Sequence, residues 1–133
     1  MALRVEVVSP ERVLWSGEAE MVVCRTPAGE IAFLPGHVPF LGALGIGKVR
    51  VLLPGGAEQV LATHGGFVEV SHDRVTVLSD QAELPEMIDV VRARAAAEQA
   101  RARLAADPDD AEAKDALARA ELRLEVAGTG AAV

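Results

Sequence analysis

The chain has 133 residues, half of them apolar, a formal net charge of -7, and few aromatic side chains: three Phe, one Trp and no Tyr. An acidic chain repels nucleic-acid phosphates unless a basic patch compensates, and the sequence contains no such patch. No run approaches the roughly 18 apolar residues of a membrane span, and charges at Arg4, Glu6, Glu11 and Arg12 interrupt any secretory core, so a soluble cytoplasmic chain is expected.

Strand grammar fills the first part of the chain. Leu3, Val5 and Val7 alternate with Arg4, Glu6 and Val8, and a second run passes from Ala19 through Met21, Val22 and Val23 to Thr26. Within that run Cys24, the single cysteine, reads as a small core residue; alone, it excludes an internal disulfide and a Cys-based zinc site. Gly29 permits a reversal, residues 31–34 suit a buried strand, and Pro35-Gly36 ends it by removing a donor and allowing positive φ. Residues 49–53 and 58–63 flank Pro54-Gly55-Gly56 as a hairpin, and Val68 and Val70 return through His72-Asp73 to Val75 and Val77 as another. Short strands at this spacing predict an α+β chain whose domain 1–84 is an all-β sandwich or flattened barrel.

After Leu84-Pro85 the composition turns to Ala with interleaved Arg, Glu and Asp, which is helix composition. One helix is expected from Met87 to about Ala106, a break at Asp107-Pro108-Asp109-Asp110 with Asp available as a cap, and a second helix from Ala111 to about Val126. The short connection makes domain 85–133 an antiparallel two-helix hairpin, with a frayed tail from about Gly128. The expected seam sets Ile88, Val91, Ala95 and Ala102 against Ala113, Leu117, Ala120 and Leu124. Mostly methyl-sized, it docks closely but holds weakly, at about 0.8 kcal/mol per buried carbon.

No catalytic constellation emerges. His37, His64 and His72 lack a neighbouring nucleophile, and no Gly-rich loop leads into Lys and Ser or Thr. Across the helices, Arg92, Arg119 and Arg123 offer either a three-guanidinium phosphate site or ordinary solvated pairs contributing about 0.2 to 0.5 kcal/mol each, and spacing alone favours the pairs. Composition also leaves open a free-standing small-ligand sensor, with a β-sandwich and a helical lid.

Three stretches carry a family resemblance: residues 29–39 (Gly-Glu-Ile-Ala-Phe-Leu-Pro-Gly-His-Val-Pro), residues 65–70 (Gly-Gly-Phe-Val-Glu-Val) and residues 86–93. The chain resembles the epsilon subunit of bacterial F-type ATP synthases, the delta subunit in mitochondria. The resemblance implies a non-catalytic piece of the central rotor stalk, at the cytoplasmic face of the membrane, reaching it only through the complex. Its implied partners are the gamma subunit, the ring of c subunits through Glu30 and His37, and the alpha and beta catalytic subunits through the helical hairpin, which extends to block ATP hydrolysis. No cofactor is required. ATP enters as a regulatory ligand at Glu83, Ile88, Asp89, Arg92, Ala93, Arg119 and Arg123, while Gln99 stands where the resemblance expects one more arginine and so weakens the positive field.

Overall fold

The computed structural model describes residues 2–130. The chain divides into two compact units, Met1–Glu83 and Leu84–Val133. The first unit is a sandwich of two five-stranded sheets. One sheet is built from β1 (Leu3–Val8), β2 (Val13–Ala19), β5 (Phe40–Ala43), β8 (Phe67–Ser71) and β9 (Arg74–Leu78), in the order β2-β1-β9-β8-β5. The other contains β3 (Met21–Thr26), β4 (Gly29–Phe33), β6 (Ile46–Leu52), β7 (Glu58–His64) and β10 (Ala82–Glu83), in the order β10-β7-β6-β3-β4.

Period-2 alternation explains the core. Leu3, Val5, Val7, Val68, Val70, Val75 and Val77 from the first sheet, and Val22, Cys24, Phe33, Val49, Val51 and Leu61 from the second, are all at most 1 % exposed. Burial pushes the Cys24 thiol up to about 12, which keeps it protonated and unreactive, as its apolar neighbours predict. Both expected hairpins form: β6 pairs antiparallel with β7, and β8 with β9. The β8–β9 turn has positive φ at both His72 and Asp73, 52° and 58°, the geometry of a type I′ turn that matches strand twist. One pairing runs parallel, β1 with β9, and sets the first strand beside the ninth at the centre of a sheet.

In the second unit, a 3₁₀ turn (Pro85–Met87) precedes α1 (Val90–Ala106), and α2 (Ala111–Gly130) follows. Helix α1 therefore begins later than expected, because Asp89 has an extended backbone and caps it: its carboxylate accepts the Arg92 N–H at 3.0 Å. Replacing Asp89 with Ala is expected to cost about 1 kcal/mol of helix stability, and Asn far less, as read by thermal melts followed by circular dichroism. Equal melts for all three chains would contradict the cap. At the connection Asp110 caps α2 through the Ala113 N–H, 3.0 Å, and also meets Arg103. That amide first, and Arg103 with it, holds the Asp110 carboxyl below the usual carboxylate range.

Two expectations are corrected here. Gly128 to Gly130 belong to α2 rather than to a frayed tail, with the Thr129 hydroxyl donating to the Val126 carbonyl at 2.6 Å; residues 131–133 of that expected tail lie outside the described residues. The buried face of α1 is Ala93, Ala97 and Ala100, while Val91, Ala95 and Ala102 are exposed. Alanine occurs all round this helix, so its periodicity does not single out a face.

Candidate functional site: a sandwich edge, an apolar row and a capped helix

Residues 34–39 join β4 to β5, which are edge strands of opposite sheets, and so close one side of the sandwich. The Leu34 carbonyl accepts the His37 N–H at 3.1 Å across Pro35-Gly36, with Gly36 at φ 83°, as a type II turn requires. The Gly36 N–H donates to Asp73 Oδ1 at 2.6 Å, so the β8–β9 turn pins this loop from a distant part of the chain. The His37 ring stands edge-on to Phe33, with centroids 5.0 Å apart, and at 6.5 Å from Phe40. Its Nδ1 lies 2.7 Å from the Val38 carbonyl oxygen. His37 is thus largely spent on holding the loop's shape.

Apolar side chains are what the loop and the strand after it present: Leu34, Val38 and Leu41 are 54 %, 70 % and 69 % exposed. Glu30 is also exposed, but it lies near the other end of β4, in register with Arg25 of β3. Three residues of strand, about 10 Å, separate Glu30 from Phe33, where the loop begins. The two carried-over contact residues therefore occupy opposite ends of one edge. Between β4 and β5 opens a cleft of about 500 Å³, with Ile31, Phe40 and Ala43 in its lining and Glu30 at its rim.

A second surface went unread in the sequence. Strand register aligns Ala43, Phe67, Leu78, Val8 and Val13 across β5, β8, β9, β1 and β2, an unbroken apolar row spanning the whole sheet. Phe67, Leu78 and Val13 are 55 %, 45 % and 51 % exposed. The next row is Leu41, Glu69, Thr76, Glu6 and Ser16, polar except for Leu41 at its edge, so the unbroken apolar row lies at one end of the face. Beside the row lies a cavity of about 490 Å³ whose lining includes Ser9, Pro10, Phe67 and Leu78.

Four of the residues assigned to nucleotide are engaged elsewhere. Glu83 meets His64, Oε1 to Nε2 2.9 Å, within the sandwich. Asp89 caps α1, Ala93 is 4 % exposed in the helix seam, and the half-buried Arg119 reaches Glu112 on its own helix at 3.5 Å. Arg92 is exposed, and Ile88 and Arg123 are half-buried. Among the described residues, no three or more His, Cys, Asp or Glu side chains gather as a metal site.

Residues 2–85 match the family model for the ATP synthase, Delta/Epsilon chain, beta-sandwich domain. The chain belongs to the ATP synthase delta/epsilon family. An ATP synthase epsilon chain from Alkalihalophilus pseudofirmus is 49 % identical over 109 residues, 82 % of this chain and 81 % of the relative. Another, from Halalkalibacterium halodurans, is 44 % identical over 130 residues, 95 % and 97 % of the two chains, and one from Thermobifida fusca is 48 % identical over 128 residues, 94 % and 91 %. Among solved structures, a chain of the Euglena gracilis mitochondrial ATP synthase, in a cryo-EM structure of OSCP, F1 and c-ring, superposes with a TM-score of 0.79 at 27 % identity, covering 95 % of this chain and 81 % of that one. As an epsilon chain, the protein is an accessory subunit of ATP synthase and not its catalytic one. Its features are accordingly read as contact surfaces. Among the described residues no helix is long and apolar enough to cross a membrane.

Proposed function

We propose that this epsilon chain is a central-stalk subunit whose sandwich docks on the gamma subunit through the apolar row Ala43, Phe67, Leu78, Val8 and Val13. The row carries the reading: a contiguous apolar stripe on an otherwise polar sheet face is what a partner-binding face requires. The edge formed by Glu30, residues 34–39 and Leu41 then turns towards the c ring. Leu34, Val38 and Leu41 supply apolar contact there and Glu30 a polar rim, with His37 shaping the loop beneath. This puts the subunit at the cytoplasmic face of the membrane, held there only through the complex.

The helical unit acts as the brake on ATP hydrolysis, reaching the alpha and beta subunits when extended. The buried face of α1 is all alanine, set beside the larger buried Leu122 and Val126 of α2, and this favours reversible opening, since each alanine contributes little on burial. ATP is a regulatory ligand in this reading. It binds weakly, because Glu83, Asp89 and Arg119 already have partners and Gln99 adds no charge. The test is the affinity of the purified chain for gamma when Phe67 and Leu78 are made polar; undiminished binding would rule out the row.

A further inference from the structure

Strand β10 has only two residues, Ala82 and Glu83, in register with Thr63 and Ala62 of β7. So short a ladder provides few backbone hydrogen bonds, each a small net contribution, and a side-chain contact decides whether the strand stays. That contact is His64 Nε2 to Glu83 Oε1, 2.9 Å, with the imidazole only 1 % exposed and the carboxylate 22 %. We propose that His64 and Glu83 form a proton-sensitive clasp that fastens β10 to the sandwich, and so sets the residue at which the sandwich ends and the chain leaves it.

The chemistry follows from the donor set. A neutral imidazole offers Glu83 one N–H, whereas an imidazolium makes the same bond charge-assisted, roughly doubling its strength. Within the sandwich, Asp80 lines a cavity together with His64, and Lys48 shares a cross-strand row with Ala62 and Glu83. The cavity, about 490 Å³, is bordered by Gly65, Ser79 and Gln81. An opposite charge in contact favours the protonated ring in the clasped state, while burial of the ring to 1 % exposed works against it. Because the carboxylate bonds the ring directly, at 2.9 Å, the contact outweighs the burial. The clasped state thus binds the proton more tightly than the open one, and the clasp weakens as pH rises through the imidazole's titration. The other two histidines lack this arrangement: His37 faces the Val38 carbonyl and His72 sits exposed in a turn.

The experiment uses the full chain. Imidazole titration by NMR and amide hydrogen exchange at residues 82–84, corrected for intrinsic rate, are followed between about pH 5 and 8, where histidine titrates. In the wild type, exchange is expected to rise about fivefold across this range, as for a loss near 1 kcal/mol. His64→Gln keeps a donor without titrating and is expected to flatten the profile. Glu83→Gln, at a partly exposed position, is expected to lower the His64 titration midpoint. A His64→Gln profile that parallels the wild type, or a midpoint that Glu83→Gln leaves in place, would overturn the clasp.

Discussion

Changing Phe67 to Glu and Leu78 to Lys together is expected to weaken gamma binding roughly a hundredfold or more while leaving the chain folded, as read by calorimetry beside a thermal melt. The two residues are opposite one another on β8 and β9, and each is about half exposed, so neither holds the core. Opposite charges directly across an antiparallel pair support the sheet, whereas two glutamates would repel. At an interface the same pair loses two apolar anchors, each contributing about 1.5 to 3 kcal/mol when buried, and adds two charges to desolvate. Because 1.4 kcal/mol is about tenfold in affinity, two such losses reach the stated range even if only partly additive. Binding within threefold of the wild type by a folded variant would remove the row from the interface.

Gly66→Val is expected to destabilise the sandwich by about 3 kcal/mol or more, lowering the melting temperature by over 10 °C. Gly66 has φ 117°, outside the range that side chains tolerate, and a Cβ there would strike the Leu78 carbonyl oxygen and press on Ser79 at 3.0 Å. The obstruction is backbone, so it does not rotate away. The Gly66 carbonyl also accepts the Leu44 N–H at 2.8 Å, tying this point to the segment between β5 and β6. Gly55→Ala is the control: φ is 92° there, but nothing lies near the added carbon, so only the backbone term of roughly 1 kcal/mol applies. Equal melts for the two variants would contradict the close approach at Gly66.

Legibility in the sequence followed the range of the interactions. Hairpins announced themselves through Pro54-Gly55-Gly56 and His72-Asp73 because a tight turn is a local property, and alternation marked β1, β6 and β9. The strands β2, β5 and β10 gave little signal: β5 and β10 are only four and two residues long, and all three lie at sheet edges where pairing, not propensity, defines them. Helix composition located α1 and α2 but not the face α1 buries, since alanine lies on every side. Family resemblance named the complex, and the matches to epsilon chains bear this out and displace the free-standing sensor. The apolar row had no sequence signature at all. It depends on register across five strands, including the parallel pairing of Val8 with Leu78, which no local pattern encodes.

Glu30 and His37 show the same limit at a smaller scale. As letters in one motif they suggested a joint polar contact, yet β4 holds them apart, and the aromatic pair Phe33 and Phe40 takes up the His37 ring. What the motif encodes locally is the Pro35-Gly36 turn. Which of its side chains stand exposed, Leu34 and Val38 among them, is visible only when burial is known.

Under the proposed function, anchoring lies in the sandwich and braking in the helical unit. The most direct test is a reconstituted ATP synthase carrying this chain cut after Glu83, compared with the full chain. Assembly with gamma at wild-type levels and faster ATP hydrolysis is the result expected. Loss of assembly, or hydrolysis unchanged in an assembled complex, would contradict it.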